Sequence, residues 1–83
     1  MATTLKAVLQ FTAIPAGSTA TLAHGLNVAG TATVPDAIAL DNPAFDYVSS
    51  TTTTVTVRNN DTAAAACAVL CEKWHPVERA FGD

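Results

Sequence analysis

Apolar side chains occupy every second position near the start of the chain, and this alternation is the feature that most limits its possible folds. From Leu5 to Ala13 every odd-numbered position is apolar. The positions between them are mostly polar: Lys6, Val8, Gln10 and Thr12. A period of two is that of a β-strand with one buried face. Residues 3–13 are therefore predicted to form a first strand, with Leu9 in the core.

Short extended segments separated by turn residues follow along the chain. Further strands are predicted over residues 19–23, 33–40, 45–49 and 52–59. Proline and glycine stop strands and favour turns, and both occur between these segments. Within the last of them Val55 and Val57 share one face and are predicted to be core. The glycine-containing stretch 27–31 is predicted to be a flexible connection.

Residues 63–74 fit two kinds of secondary structure. Ala63–Ala66 has high helix propensity, and the preceding Asn60–Thr62 could cap a helix. The alternation of Cys67, Val69 and Cys71 with other residues favours a strand, as does the regular spacing of the preceding strands. We favour the strand. The resulting fold class is all-β: one compact β-sandwich or barrel of about six antiparallel strands over residues 1–83, with a short C-terminal tail over 77–83.

The low charge content of the chain limits the classes of partner that it is expected to bind. Only 13% of the 83 residues are charged, and the net charge is −3 with four Lys and Arg in total. A nucleic-acid binder needs clustered basic residues to replace the counterions of phosphate, so no nucleic-acid partner is expected. The uncharged stretches are broken by proline, glycine and polar residues, so no membrane partner is expected either. A β-rich chain this small gains stability from self-association.

Metal binding and catalysis have weak support in the sequence. Cys67, Cys71 and His75 are evenly spaced and His24 could add a fourth zinc ligand, but on a strand Cys67 and His75 would lie about 26 Å apart. Both cysteines are therefore expected to be buried small apolar residues. The sequence contains no nucleophile elbow and no glycine-rich phosphate loop. We predict no catalytic residue, no cofactor and no metal, and do not expect an enzyme.

Five residues are candidates for contacts with a partner or ligand. Trp74 and His75 lie at the predicted end of the last strand, and tryptophan is enriched in protein interfaces. Leu5 near the start and Phe81 in the tail could dock on a neighbouring subunit. His24 precedes a glycine, so its imidazole is either accessible as a loop site for a ligand or hydrogen-bonded to a nearby loop carbonyl.

Four segments of the chain form a recognisable series: "FTAIPAGSTATLAHGLN", "VPDAI", "YVSSTTTTVTVRNND" and a closing strand that ends in "WHP". In this order they resemble the small all-β structural proteins of tailed-bacteriophage particles. Those proteins have a His-Gly-Leu bend after the second strand and a Ser/Thr-rich hairpin that leads into a strand like "TVTVRN". The resemblance spans residues 9–75. Pro76 departs from the pattern, since a polar residue is common there.

The resemblance implies a homotrimer located in the virion, on the capsid exterior. Its expected function is that of a decoration, or cement, protein that binds the lattice of the major capsid protein and stabilises the shell. A bare domain without a trimerising shaft favours this function over a fibre. The alternative is a receptor-binding module that recognises glycans and belongs to a tail, a fibre or the head.

Overall fold

The computed structural model describes residues 3–74, and these residues form strands and turns. The strands are β1 (Lys6–Ile14), β2 (Thr19–Ala23), β3 (Asn27–Val28), β4 (Thr31–Ala32), β5 (Ala37–Leu40), β6 (Phe45–Ser50), β7 (Thr54–Asn59) and β8 (Ala65–Glu72). The all-β prediction is confirmed, and the ambiguous segment 63–74 contains a strand. Within residues 3–74 the structure has no helix long and apolar enough to cross a membrane. The predicted tail over 77–83 lies outside the described residues.

The strands form two three-stranded sheets and one hairpin. The first sheet has the order β1-β8-β5, the second has the order β2-β7-β6, and β3 pairs with β4. Every pairing is antiparallel. We call the β1-β8-β5 sheet the first sheet and the β2-β7-β6 sheet the second sheet. In each of them the middle strand is one of the last two strands within residues 3–74.

The core lies between the two sheets, and the middle strands supply most of it. On β7 Val55 and Val57 are fully buried, as predicted, and on β8 Val69 is buried between two cysteines. The remaining buried apolar side chains come from other elements: Phe11, Leu26 and Phe45. Leu9 is half-buried and packs against this cluster. Burying one valine-sized side chain contributes about 1.5–3 kcal/mol, so the alternation in β7 and β8 accounts for much of the fold's stability.

The alternation predicted for the first strand ends before Ala13. The pairing of β1 with β8 shifts between Phe11 and Ile14, and Ala13 adopts a positive φ of 52°. A bulge of this kind inserts one residue and reverses which side chains face inward. Ala13 is therefore exposed and Ile14 packs against the core instead, so the prediction that Ala13 shares the inward face is wrong.

The prediction of a flexible connection over residues 27–31 is also wrong. Asn27–Val28 and Thr31–Ala32 pair as a tight hairpin, and φ is positive at both residues between them, Ala29 and Gly30. Two positive φ angles are the signature of a type I′ turn, whose twist matches that of the strands. The Asn27 side chain accepts a hydrogen bond from the Gly30 N–H at 3.3 Å and supports the turn.

Asn59 holds together the turns at one end of the molecule. It is fully buried, and its amide nitrogen donates to the carbonyls of Ile14 at 2.8 Å and Ala63 at 3.0 Å. Its side-chain oxygen accepts the Asp61 N–H at 2.8 Å. All buried side-chain nitrogen and oxygen atoms in the described part of the chain have a partner. This end is therefore closed by hydrogen bonds among its own turns, and the candidate residues Leu5, His24 and Trp74 lie at the other end.

Candidate functional site

The end opposite Asn59 brings three of the candidate residues together. Thr4 pairs with Asn27, which follows the His24 bend, and the Lys73 N–H donates to the carbonyl of Leu5 at 2.8 Å. Leu5, His24 and Trp74 therefore lie at the same end of the sandwich, although they are far apart in sequence. We call this region, formed by residues 3–5, 24–36, 51–53 and 73–74, the loop end.

His24 is a structural residue of the loop end. Its side chain is only 3% exposed. Its Nδ1 accepts the N–H of Leu26 at 2.9 Å, and its Nε2 lies 3.0 Å from the carbonyl oxygen of Thr51. A nitrogen that accepts carries no proton, so the ring is neutral and Nε2–H donates to Thr51. Of the two alternatives for this residue, the structure shows the hydrogen bond to a loop carbonyl.

Beside His24 the loop end contains a shallow groove of about 370 Å³. It is lined mainly by small and apolar groups: Ala23, Gly25, Leu26, Asn27, Gly30, Ala32, Thr52 and Thr53. Gly25 has a φ of 69°, a conformation that strains any residue with a Cβ. Gly25 therefore forms the tight bend that follows the buried His24, and the residues that line the groove carry no charge.

Trp74 is the most exposed aromatic side chain within residues 3–74. Its side chain is 59% exposed, whereas Leu5 is half-buried. The backbone N–H of Trp74 donates to Oδ2 of Asp36 at 2.8 Å, and the Nζ of Lys73 lies 3.2 Å from Oδ1 of the same carboxylate. The backbone at Trp74 is thus fixed while its ring faces solvent. His75 and Phe81 lie outside the described residues.

Asp36 is the charged residue that fixes the backbone at Lys73 and Trp74. The pKa of Asp36 lies below its ordinary value of 3.8, mainly because the carboxylate accepts a hydrogen bond from the Trp74 N–H. Partial desolvation raises this pKa, whereas the hydrogen bond and the charge of Lys73 lower it further. Hydrogen bonds to a carboxylate favour its charged form. At neutral pH Asp36 is therefore ionised and keeps the end of β8 attached to the start of β5.

The two cysteines do not form a reactive or metal-binding site. Cys67 and Cys71 are both buried, free and on β8, where residues four apart are separated by about 13 Å. Burial raises the pKa of both thiols, which keeps them protonated and poorly nucleophilic at neutral pH. Residues 3–74 contain no group of three His, Cys, Asp or Glu side chains placed to hold a metal ion.

The other carboxylates that could serve acid–base chemistry already accept hydrogen bonds within the fold. Asp41 accepts the N–H of Ala68 at 2.8 Å, and Asp46 accepts a hydrogen bond from the side chain of Asn60. Neither lies near Asp36 in the fold, since Asp41 and Asp46 belong to the Asn59 end. In the described residues these carboxylates therefore hold the backbone by hydrogen bonds, and the loop end presents surface that a partner can contact.

The sequence analysis did not predict the β3–β4 hairpin of the loop end. It also did not predict that Asp36 accepts a hydrogen bond from the Trp74 backbone. The signal for the hairpin was the glycine at position 30 flanked by short β-forming segments. No local signal marks Asp36 as the partner of Trp74, because the two are far apart in sequence and meet only when β5 pairs with β8.

No protein-family model matches the chain, and neither a curated protein nor a solved structure is detectably similar to it.

Proposed function

We propose that this chain is a decoration protein of a tailed-phage head, which binds the lattice of the major capsid protein as a homotrimer and stabilises the shell. Two observations support the proposal. The series of short motifs over residues 9–75 resembles that of small virion structural proteins, and within residues 3–74 the structure presents an exposed aromatic side chain on a fixed backbone. The observation that carries it furthest is Trp74 on its fixed backbone.

Trp74 has the properties of an interface anchor. A partner that covers its ring removes a large apolar surface from water, and tryptophan is prominent among the residues that dominate binding energy. Because Asp36 already holds the backbone at Trp74 and pairs with Lys73, little backbone conformational entropy is lost on docking. Leu5 and the groove beside Gly25 lie at the same loop end as Trp74.

The proposed mechanism is mechanical. A trimer that spans neighbouring capsid subunits adds buried area between them, and so raises the free energy needed to separate them against the pressure of the packaged genome. No bond is made or broken, and no cofactor is required. The site on the particle is the capsid exterior, where expanded lattices present repeated three-fold positions.

Co-sedimentation tests the proposal. Expanded heads of the phage that encodes the chain, stripped of accessory proteins, are mixed with wild type and with Trp74→Ala. We expect saturable binding by wild type at the stoichiometry of the three-fold positions, and binding about 30-fold weaker for Trp74→Ala, which corresponds to about 2 kcal/mol. Its matched control is Tyr47→Ala, which removes an exposed aromatic from β6 and should bind as wild type does.

A glycan-binding module is the second candidate, and the exposure of Trp74 beside a carboxylate is the observation that favours it. Sugar rings stack on exposed aromatic faces and hydrogen-bond to nearby polar groups. However, both oxygens of Asp36 are already engaged by Lys73 and the Trp74 backbone. A glycan array with the same two variants separates the candidates: a defined sugar signal that Trp74→Ala abolishes, together with no capsid binding, would replace the decoration proposal.

A further inference from the structure

His24 is held on both sides by backbone groups whose hydrogen-bonding roles are fixed. The N–H of Leu26 can only donate, and it does so to Nδ1 of His24 at 2.9 Å. The carbonyl of Thr51 can only accept, and its oxygen lies 3.0 Å from Nε2. The arrangement therefore fits the neutral imidazole with its proton on Nε2 and excludes a proton on Nδ1.

A positively charged His24 ring would be in an unfavourable environment. The side chain is almost completely buried, and burial disfavours the charged form of a histidine. A proton on Nδ1 would also point at the N–H of Leu26, so that a contact between two donors would replace the hydrogen bond. The cost of burying an unpaired charge would add to the cost of the lost hydrogen bond.

The segments around His24 provide no opposite charge. Residues 19–32, which include β2 and the bend, contain no Asp, Glu, Lys or Arg, and neither does the turn over 51–54. His24 is bonded to both segments, since its own backbone N–H also donates to the Thr53 carbonyl at 3.0 Å. From the facing sheet, the titratable side chain on the core side near this end is Cys71, and burial raises the pKa of its thiol. The groups bonded to the ring are therefore uncharged backbone groups.

The charged side chains of the neighbouring elements are paired with one another. Asp36 and Lys73 of the loop end form an ion pair with 3.2 Å between Oδ1 and Nζ. At the adjoining end of the first sheet, Lys6 and Glu72 form a second pair with 3.6 Å between Nζ and Oε2. Within residues 3–74 these ion pairs leave His24 without a carboxylate partner, so nothing there offsets the cost of charging its ring.

We infer that His24 is a pH-sensitive switch that controls the loop end. At pH 7 and above the neutral ring joins the bend at Gly25 to the turn over residues 51–54. A histidine exposed to water takes up a proton as the pH falls through about 6.5. In this chain a proton from solvent adds to the lone pair of Nδ1, breaks the hydrogen bond from the Leu26 N–H and drives the charged ring out of its buried position.

Release of the His24 ring changes the surface of the loop end. Leu26 is a core residue, and its carbonyl accepts the N–H of Thr33 at 3.2 Å, so the hydrogen bond to His24 connects the bend with the end of the β3–β4 hairpin. The groove beside Gly25 is lined by residues of both the bend and the turn over 51–54, so it changes shape when the two separate. The inference rests on the proposed function only where it predicts that capsid binding weakens in acid.

Urea unfolding of the full chain between pH 7.5 and pH 5 tests the switch. The unfolded chain binds a proton at residue 24 below about pH 6.5, whereas the folded chain with His24 buried does not, so stability falls as the pH falls. The unfolding equilibrium constant of wild type should rise about 10- to 30-fold over this range, the upper value being that for complete exclusion of the proton. His24→Asn does not titrate in this range and should change less than about threefold. His75→Asn is the matched control, because it removes the other histidine of the chain and should respond as wild type does.

Nitrogen-15 NMR of wild type tests the same switch without a variant. At pH 7.5 Nδ1 of His24 should be unprotonated and Nε2 protonated. As the pH is lowered, protonation of Nδ1 should be accompanied by faster hydrogen exchange of the Leu26 amide. A protonated Nδ1 with an unchanged Leu26 amide would overturn the inference, as would a His24→Asn chain that loses stability in acid as steeply as wild type.

Capsid co-sedimentation at pH 7.5 and pH 5.5 keeps the two proposals separate. Wild type should bind expanded heads more weakly at pH 5.5, whereas His24→Asn should bind equally at both pH values. If the stability of wild type responds to pH as expected but the chain binds no capsids at either pH, only the decoration function fails. If wild type binds capsids while its unfolding and its Leu26 amide do not respond to pH, only this inference fails.

Discussion

The outer faces of the two sheets differ in chemistry although both sheets cover the same core. On the second sheet the outer face carries hydroxyls and charges, and Thr21 and Thr56 form a hydrogen bond across the strands at 2.7 Å. On the first sheet the outward side chains that pair across the strands at the centre are Val8, Leu70 and Ala39. The polar face is suited to water, whereas the apolar face gains free energy from being covered.

This difference shows that burial in the core explains the inward side chains of the strands but does not explain the outward apolar side chains of the first sheet. On β7 the inward valines and outward threonines follow the usual apolar-in, polar-out pattern of a sheet with one wet face. On β8 both faces are apolar, with Cys67 and Val69 inward and Ala68 and Leu70 outward. A strand that is apolar on both sides is expected where both sides are covered, and within residues 3–74 only the inward side of β8 is fully buried.

The largest expected effect comes from breaking the core that the two sheets share. Val57→Asp places an unpaired carboxylate at a fully buried position and should cost several kcal/mol, about the whole stability of a small domain. Circular dichroism and solubility should show an unfolded or aggregated chain. Thr56→Asp, one residue earlier on the outward face, should fold with a loss of about 1 kcal/mol or less. A soluble, folded Val57→Asp would mean that the inward and outward sides of β7 are exchanged.

A smaller loss of stability is expected from a change at His24, which connects the end of β2 to the turn between β6 and β7. His24→Ala leaves the Leu26 N–H and the Thr51 carbonyl without their partners and should cost about 2 kcal/mol. For a chain of this size the melting temperature should fall by about 10 °C. Differential scanning calorimetry measures it. His24→Asn keeps a short acceptor near Leu26 and should lose less; equal melting temperatures for wild type and His24→Ala would contradict the structural role.

The smallest of the three effects concerns the same end of the first sheet and depends on pH. Because the pKa of Asp36 is lowered in the folded state, its charge stabilises the fold above its ordinary pKa, and this contribution is lost as pH falls through the folded value. Asp36→Asn should therefore be slightly less stable than wild type at pH 7, and the difference should shrink in acid below about pH 4. Urea unfolding across this range tests it, and a difference that stays constant with pH would contradict the assignment.

The period-two pattern was enough to predict the longer strands and the fold class, because burial of one side of β1, β7 and β8 dominates their energetics. It failed at Ala13 and over residues 27–31, where positive φ angles of alanines decide the path of the chain. Alanine gives no sequence signal for such a conformation, unlike glycine. The meeting of Asp36 with Trp74, and the alignment of Val8 with Leu70 and Ala39, depend on strand pairing over long sequence separations, which a local pattern does not encode.

Hydroxyl-radical footprinting at two protein concentrations tests most directly whether the two outer faces have different roles. At low concentration, Val8 and Leu70 on the outer face of the first sheet should be modified, as should Tyr47 and Val48, two exposed side chains of the edge strand β6 in the second sheet. At high concentration Val8 and Leu70 should become protected, while modification of Tyr47 and Val48 stays unchanged. Protection of β6 alone, or no change in either sheet, would contradict the claim that the apolar outer face of the first sheet is the one that gains free energy from being covered.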